Sequence, residues 1–113
     1  MPQPDAVYLG HMLIAIERIG KITGTTDRQA FNRDWVIQDA VIRELEVLGE
    51  AAGRVSEEFI AAHPEIPWRV ITGLRHRLIH GYFVVDLDVV WKTATEDVPE
   101  VEQEIRAAAG DIK

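Results

Sequence analysis

The chain has 113 residues, of which 47% are hydrophobic and 27% are charged, and its formal net charge at pH 7 is −7. This length and balance predict one globular domain spanning residues 1–113 and exclude a disordered chain. The acidic charge argues against an extended nucleic-acid-binding surface, which needs a basic face, so any contact with nucleic acid must be local.

Three absences in the sequence narrow the class of protein further. There are no cysteines, which excludes a disulfide scaffold and a cysteine metal site and fits a reducing compartment. The opening residues MPQPD lack the basic segment of a signal peptide. No apolar run approaches the roughly 18 residues that a membrane helix needs. We therefore expect a cytoplasmic protein that does not contact the membrane.

The first half of the chain has helical periodicity. Apolar residues recur at steps of three and four over about 5–23, in two adjacent stripes, so the first helix is predicted to pack on more than one side. Gly24 and the TTD that follows indicate a stop and a new N-cap. A second helix is predicted to begin between Asp27 and Asp34 and to run to about Arg54.

The exposed face of this second helix carries charges of both signs at helical spacing: Asp39, Arg43, Glu46, Glu50 and Arg54. One interpretation is a solvated face held by ion pairs between neighbouring turns. The alternative is that Glu46 or Glu50 lines a functional cleft.

A short helix and a longer one are predicted next. Ser56 can cap the short helix, and Pro67 suits the first position of the longer one. The longer helix should end at His80, because Gly81 is a favourable residue just past a helix end. The three residues 83–85, FVV, are aromatic and β-branched but too few to predict a sheet.

Asp86 is the predicted cap of the last element. Apolar residues then keep a regular rhythm of four and three from Leu87 to Ala108, with Pro99 inside it, which predicts one long helix kinked near Pro99. The fold class is therefore all-α, an antiparallel up-and-down bundle of four long helices and one short one. Because several helices are apolar on two faces, we also expect a symmetric homodimer.

The segment 68–91, WRVITGLRHRLIHGYFVVDLDVVW, stands apart from the acidic remainder. No Asp or Glu occurs between Glu65 and Asp86. Within twelve positions it gathers Arg69, Arg75, His76, Arg77 and His80. His76 and His80 have the spacing of zinc ligands on a helix, but the flanking arginines oppose a dication and no third ligand is near in sequence. We predict no metal and no cofactor.

The chemistry of Arg75, His80 and Tyr82 suits a phosphodiester. Arginine binds phosphate oxygens, histidine moves a proton near neutral pH, and tyrosine stacks on a base or donates a hydrogen bond. In an ideal helix Arg75 and His80 point about 140° apart, so they converge only if the helix unwinds before Gly81 or a second protomer completes the site. The alternative is purely structural, with Arg75 on helix-end carbonyls, His80 as a cap and Tyr82 in the core.

The stretch GLRHRLIHGYFVVDLDVVW resembles the HEPN superfamily, and within it the HepT-like toxins of HepT–MntA toxin–antitoxin pairs. The family motif Arg-x4-His-x-Tyr matches Arg75, His80 and Tyr82. The similarity continues in QDAVIRELEVLGEAA and in VDLDVVWKTATEDVPEVEQEI, so it covers most of the chain.

The resemblance implies a dimeric helical bundle that cleaves RNA without a metal, in a cleft between protomers, with Arg75 and His80 catalytic. It also implies, as a type VII-like pair, a small MntA-like nucleotidyltransferase antitoxin that transfers AMP to Tyr82. Physically, AMP there would add bulk and negative charge beside the site. The alternative within the family is a non-catalytic HEPN module that binds nucleotide or partners a nucleotidyltransferase.

One position departs from the family pattern. Many relatives have asparagine after the motif arginine, where this chain has His76. His76 either replaces that asparagine as a hydrogen-bond donor to an RNA phosphate, together with Arg69 and Arg77, or faces solvent. Glu46 corresponds to a commonly acidic position of the second helix and is the candidate acid of the cleft.

Overall fold

The computed structural model describes residues 4–80 and 84–112, apart from the side chain of His80. Within this part of the chain the elements are almost all helical, with one pair of two-residue strands. In chain order they are α1 (Asp5–Gly24), α2 (Arg28–Arg33), α3 (Trp35–Gly53), α4 (Glu57–Ala62), α5 (Trp68–Thr72), α6 (Leu74–Leu78), β1 (Ile79–His80), β2 (Val84–Val85), α7 (Leu87–Lys92), a π-helical turn (Thr93–Asp97) and α8 (Val98–Gly110).

The centre of the fold is an antiparallel pair formed by α1 and α3. The carboxylate of Asp5, at the start of α1, accepts hydrogen bonds from the backbone N–H and hydroxyl of Ser56, just past α3, at 2.8 and 2.7 Å. Further along, Arg18 pairs with Glu44 at 3.7 Å. The two-stripe pattern of α1 is confirmed by its buried side chains: Tyr8, Leu9, Met12, Ala15, Ile16 and Ile19.

The predicted second helix is in fact two helices, because both candidate caps are used. The Asp27 carboxylate accepts from Ala30 N at 2.9 Å and starts α2. The Asp34 carboxylate accepts from Val36 N at 3.0 Å and starts α3. The backbone of Asp34 is extended, so it cannot continue α2.

The predicted fourth helix is interrupted at Gly73, which separates α5 from α6. Its predicted end at His80 is wrong, since α6 ends at Leu78 and Ile79 is already extended at φ −125° and ψ 121°. Residues 83–85 were expected to be too few for a sheet, but Val84 and Val85 pair with β1 as the two-residue strand β2.

The reason is a short antiparallel ladder that the sequence pattern did not predict. Ile79 pairs with Val85, His80 with Val84, and Asp86 N donates to the Leu78 carbonyl at 3.0 Å. These bonds satisfy backbone groups that a continued helix would otherwise use, and β-branched residues favour extended backbone. Gly81, Tyr82 and Phe83 lie outside the described residues.

The long last helix is confirmed as one continuous helical run from Leu87 to Gly110. The Asp86 carboxylate caps it by accepting from Val89 N at 3.2 Å. Its irregularity is the π-helical turn that ends just before Pro99. Proline has no N–H, and its ring collides with the carbonyl four residues earlier, here that of Thr95, so a wider turn relieves the contact.

The all-α fold class is therefore confirmed, with one qualification concerning the two-residue strands. Between residues 4 and 112, wherever the structure describes the chain, no helix is long and apolar enough to cross a membrane.

Candidate functional site

Helix α6 and the end of α5 place two of the predicted cationic residues, Arg75 and His76, against the charged face of α3. Arg75 and His76 line a small pocket of about 270 Å³. Its remaining wall comes from α3 and from the end of α5: Glu46, Gly49, Glu50 and Thr72. The predicted acid Glu46 and the predicted arginine Arg75 therefore share one pocket, although 29 positions separate them in sequence.

An ion pair joins these two residues. Nε of Arg75 lies 3.3 Å from Oε2 of Glu46. The arginine side chain is nevertheless 72% exposed, whereas that of Glu46 is 33% exposed. A guanidinium has five N–H donors, so a contact through Nε leaves the two terminal nitrogens for another partner. Among the described residues no helix-end carbonyl accepts a hydrogen bond from Arg75, although the structural interpretation of this residue required one.

Gly49 lets the two helices approach closely enough for this pair. A Cβ built on Gly49 would lie 2.9 Å from the backbone oxygen of Ile71, closer than real side chains tolerate. Glycine at this position therefore allows the backbone of α5 to contact α3 directly. Gly49 was not among the residues predicted from sequence, and its position within a helical pattern was the available signal.

The other predicted cations do not join Arg75. Arg77 lines a separate, largely apolar groove of about 470 Å³ between α5–α6 and α8. The physical reason is that residues two apart on a helix point to different faces. Arg69 is exposed on α5 and lines none of the described pockets.

Two residues of the motif, His80 and Tyr82, are not among the side chains that the structure describes. The backbone of His80 belongs to β1, but its side chain lies outside the described residues, and so does Tyr82. Because α6 ends at Leu78, His76 and His80 do not share a helix face, which removes the geometric basis of the zinc alternative. The 140° separation expected of Arg75 and His80 in a continuous helix does not apply either.

A second pocket adjoins the first along α3, and Glu50 lines both. The Glu50 carboxylate accepts from Arg54 at 3.1 Å. The hydrogen bond to Glu50 and the negative charge of Glu50 are the main causes that raise the pKa of Arg54 above its ordinary value. The nearby Tyr8 hydroxyl makes a smaller contribution in the same direction. The exposed face of α3 is thus a row of charged groups that continues past the Arg75 pocket.

This arrangement can bind an anion. An exposed arginine anchored through one edge, with His76 beside it, offers donors to a phosphate while Glu46 limits how the guanidinium turns. Within the residues that the structure describes, no group of three or more His, Cys, Asp or Glu side chains could hold a metal ion.

Over residues 12–108 the chain matches the sequence profile of a family described as Ribonuclease HepT-like. The chain belongs to the HepT-like ribonuclease family. The resemblance inferred from the Arg-x4-His-x-Tyr motif is thereby confirmed.

Relatives of this HepT-like chain have matching names. A protein of Thermococcus cleftensis named "Probable ribonuclease HepT" is 44% identical over 95 residues, covering 84% of this chain and 86% of that protein. Two proteins named "Putative RNase", from Caldanaerobacter subterraneus subsp. tengcongensis and Methanocaldococcus jannaschii, are 34% and 35% identical. The first match covers 93% of this chain and 91% of its relative; the second covers 100% and 98%. No solved structure matches the HepT-like chain significantly.

Proposed function

We propose that this HepT-like protein is the toxin of a type VII-like toxin–antitoxin pair, a metal-independent endoribonuclease that acts in the cytoplasm as a homodimer. The observation that carries the proposal is the presentation of Arg75. Its guanidinium is held at one edge by Glu46 at 3.3 Å and is otherwise exposed beside His76, in a chain whose net charge is −7. An acidic protein that exposes a fixed arginine in a pocket is suited to local contact with one phosphate of an RNA strand.

The proposed reaction uses the RNA's own 2′-hydroxyl as the nucleophile. The 2′-oxygen forms a bond to phosphorus while the bond from phosphorus to the 5′-oxygen of the next nucleotide breaks, which leaves a 2′,3′-cyclic phosphate and a 5′-hydroxyl. His80 moves the proton between these two oxygens, and Arg75 stabilises the charge that develops on the phosphoryl oxygens. His76, Arg69 and Arg77 are proposed to bind RNA phosphates; since Arg69 and Arg77 lie outside the Arg75 pocket, their contacts would be to phosphates farther along the strand.

The proposed off-switch is transfer of AMP to Tyr82 by a nucleotidyltransferase antitoxin of MntA type. The tyrosine hydroxyl would lose its proton to solvent as its oxygen bonds to the α-phosphorus of ATP, and the bond from that phosphorus to the bridging oxygen would break, so that pyrophosphate leaves. The new phosphodiester puts a negative charge two residues from His80, where it repels RNA phosphate.

The cleavage proposal is tested with purified protein, a defined RNA and EDTA. We expect cutting in EDTA, loss of cutting in His80→Ala, and full cutting in Arg33→Ala, which removes an exposed cation of α2. An RNA with a 2′-deoxy sugar at the cleaved position should resist, because the nucleophile is gone. If the wild type leaves RNA intact with and without Mg²⁺, the non-catalytic nucleotide-binding or partner module becomes the better interpretation.

The switch is tested by co-expression with an MntA-like partner and mass spectrometry of the intact chain. The wild type should gain the mass of one adenylyl group, and Tyr82→Phe should not. Relief of toxicity with no mass change would instead indicate inhibition by binding alone.

A further inference from the structure

The exposed face of α3 carries an ordered row of charges. Asp39, Arg43, Glu50 and Arg54 are all exposed, and at 100° per residue they lie within a stripe about 60° wide. The α1 side of this stripe adjoins Tyr8 and His11, and the other side adjoins the Arg75 pocket. The stripe is therefore a free ridge between the two flanking elements, not a surface covered by them.

When two copies of α3 lie antiparallel, the charges on this face of one copy are complementary to those on the same face of the other. In an antiparallel pair centred between Glu46 and Val47, Arg43 lies opposite Glu50 of the partner subunit, and Asp39 lies opposite Arg54 of the partner subunit. Two-fold symmetry repeats both pairs, so four attractive pairs form. The like charges nearest the axis are the two Glu46 carboxylates, and each of them is paired with Arg75 of its own subunit.

Neighbouring registers lose this match. A shift of one turn that pairs Arg43 with Glu46 of the partner subunit puts Asp39 opposite Glu50 of the partner subunit. A shift the other way puts Arg43 opposite Arg54 of the partner subunit. A parallel two-fold pair puts every charge opposite its own copy. The pattern thus selects one arrangement and opposes the alternatives.

The charges on this face remain available for such pairing. Among the described residues, neither Asp39 nor Arg43 forms an ion pair within the protomer, and Glu50 and Arg54 stay 71% and 59% exposed despite their mutual contact. Because surface ion pairs add little affinity, apolar contact must supply much of it. The same stripe includes Val36, which is 57% exposed, and the half-buried Val47 lies at its edge.

We propose that two copies of this chain pair through antiparallel α3 helices in the register that joins Arg43 to Glu50 of the partner subunit. This deepens the dimer part of the proposed function. The axis passes beside Glu46, which holds Arg75, so the two Arg75 pockets lie on either side of it. Arg43 of each subunit then reaches the partner's Glu50, which lines the partner's Arg75 pocket, and so adds a cation to the wall of that site.

Charge reversal and mixing test this register, with mass measured by sedimentation equilibrium. Arg43→Glu and Glu50→Arg should each raise the dimer dissociation constant roughly tenfold or more, because each homodimer then holds two like-charge pairs. An equimolar mixture of the two variants should regain dimers, since both pairs in the heterodimer are again of opposite sign. Arg33→Glu, the same charge change on α2, should leave the dissociation constant unchanged.

The register is wrong if the wild type is a monomer, if either reversal alone dimerises as tightly as the wild type, or if the mixture stays monomeric. Loss of RNA binding with dimerisation intact would assign this face to RNA and would likewise overturn the register. None of these measurements depends on RNA cleavage. If the two variants dimerise only when mixed but the wild type never cuts RNA, the proposed function is refuted and the proposed dimer surface is supported.

Discussion

Arg75 contacts Glu46 through Nε at 3.3 Å, and no other protein group among the described residues pairs with its guanidinium. An exposed ion pair of this kind contributes about 0–1 kcal/mol to the free energy of unfolding, so its value to the fold is small. Its geometric effect is larger, because a long side chain that would otherwise sample many rotamers is confined beside His76. At the residue scale we therefore propose that Glu46 positions Arg75, and its negative charge would also repel an approaching phosphate.

Glu46→Gln separates these two effects. Without the carboxylate, Arg75 is less well oriented and the pocket is less negative, so kcat for RNA cleavage should fall roughly three- to tenfold while KM does not rise. Steady-state kinetics on one defined RNA measures both constants. Glu44→Gln is the matched control, since Glu44 also lies on α3 but pairs with Arg18 at 3.7 Å. An unchanged kcat with a raised KM would contradict the positioning role.

At the element scale, the approach of α5 to α3 at Gly49 decides whether the pocket exists. Helix α5 has only five residues and α6 another five, too short to be stable by themselves, so they depend on packing against α3. Buried Ile71 and Leu74 supply that packing. A change at Gly49 therefore moves Arg75 relative to Glu46 as well as weakening the core.

Gly49→Ala should lower the free energy of unfolding by about 1–3 kcal/mol, because the new Cβ meets the Ile71 oxygen at 2.9 Å and the helices must separate. It should also lower cleavage activity. Gly20→Ala on α1 is the control: its Cβ has open space, and replacing a helical glycine should stabilise by about 0.5–1 kcal/mol. Urea denaturation of the three proteins measures both changes. Equal stability of the two variants would mean that the contact at Gly49 relaxes without cost.

The elements themselves were largely predictable because their starts carry local signals. Asp34, Ser56 and Asp86 each accept hydrogen bonds from backbone N–H groups of the turn they begin. The sequence left the start of the second helix open between Asp27 and Asp34, and both proved to be caps. The end of α6 was mispredicted because the bonds that stop it come from β2, and residues 83–85 were considered too few to predict a sheet.

The site was predictable only as separate candidates. Arg75, His76 and Glu46 were each expected to matter, but their meeting depends on α6 docking antiparallel to α3, which no local pattern encodes. For the same reason the sequence grouped Arg77 with Arg75, although helical rotation directs Arg77 to the groove beside α8. The side chain of His80 and all of Tyr82 lie outside the described residues, so their roles stay predictions.

At the scale of the whole molecule, a net charge of −7 limits how RNA is held. Most of the surface repels a polyanion, and attraction is confined to few arginines. Affinity should therefore depend on salt only weakly for a nucleic-acid-binding protein, because few counterions are released from the RNA.

We expect log Kd for single-stranded RNA to change with log salt with a slope of about 1–2, since each neutralised phosphate contributes about 0.7. The slope is measured by fluorescence anisotropy with His80→Ala, which should bind without cutting. Adding Arg75→Ala to the His80→Ala variant should reduce the slope by about 0.7, and adding Arg33→Ala should leave the slope unchanged. A slope above about 4 would instead require an extended basic surface.

The π-helical turn at Thr93–Asp97 has a consequence for how the family can vary in length. Such a turn holds one residue more than an α-helical turn, so it behaves as an insertion absorbed without breaking the helix. Deleting one residue there would remove the wide turn and leave a regular helix whose later residues keep nearly the same orientation. Ile105 and Ala108, both buried, would stay against the core. Deleting one residue between the turn and Ile105 would instead rotate both side chains by about 100° and turn them away from the core. A one-residue gap in an alignment is therefore tolerated at the π-helical turn and changes the packing after it.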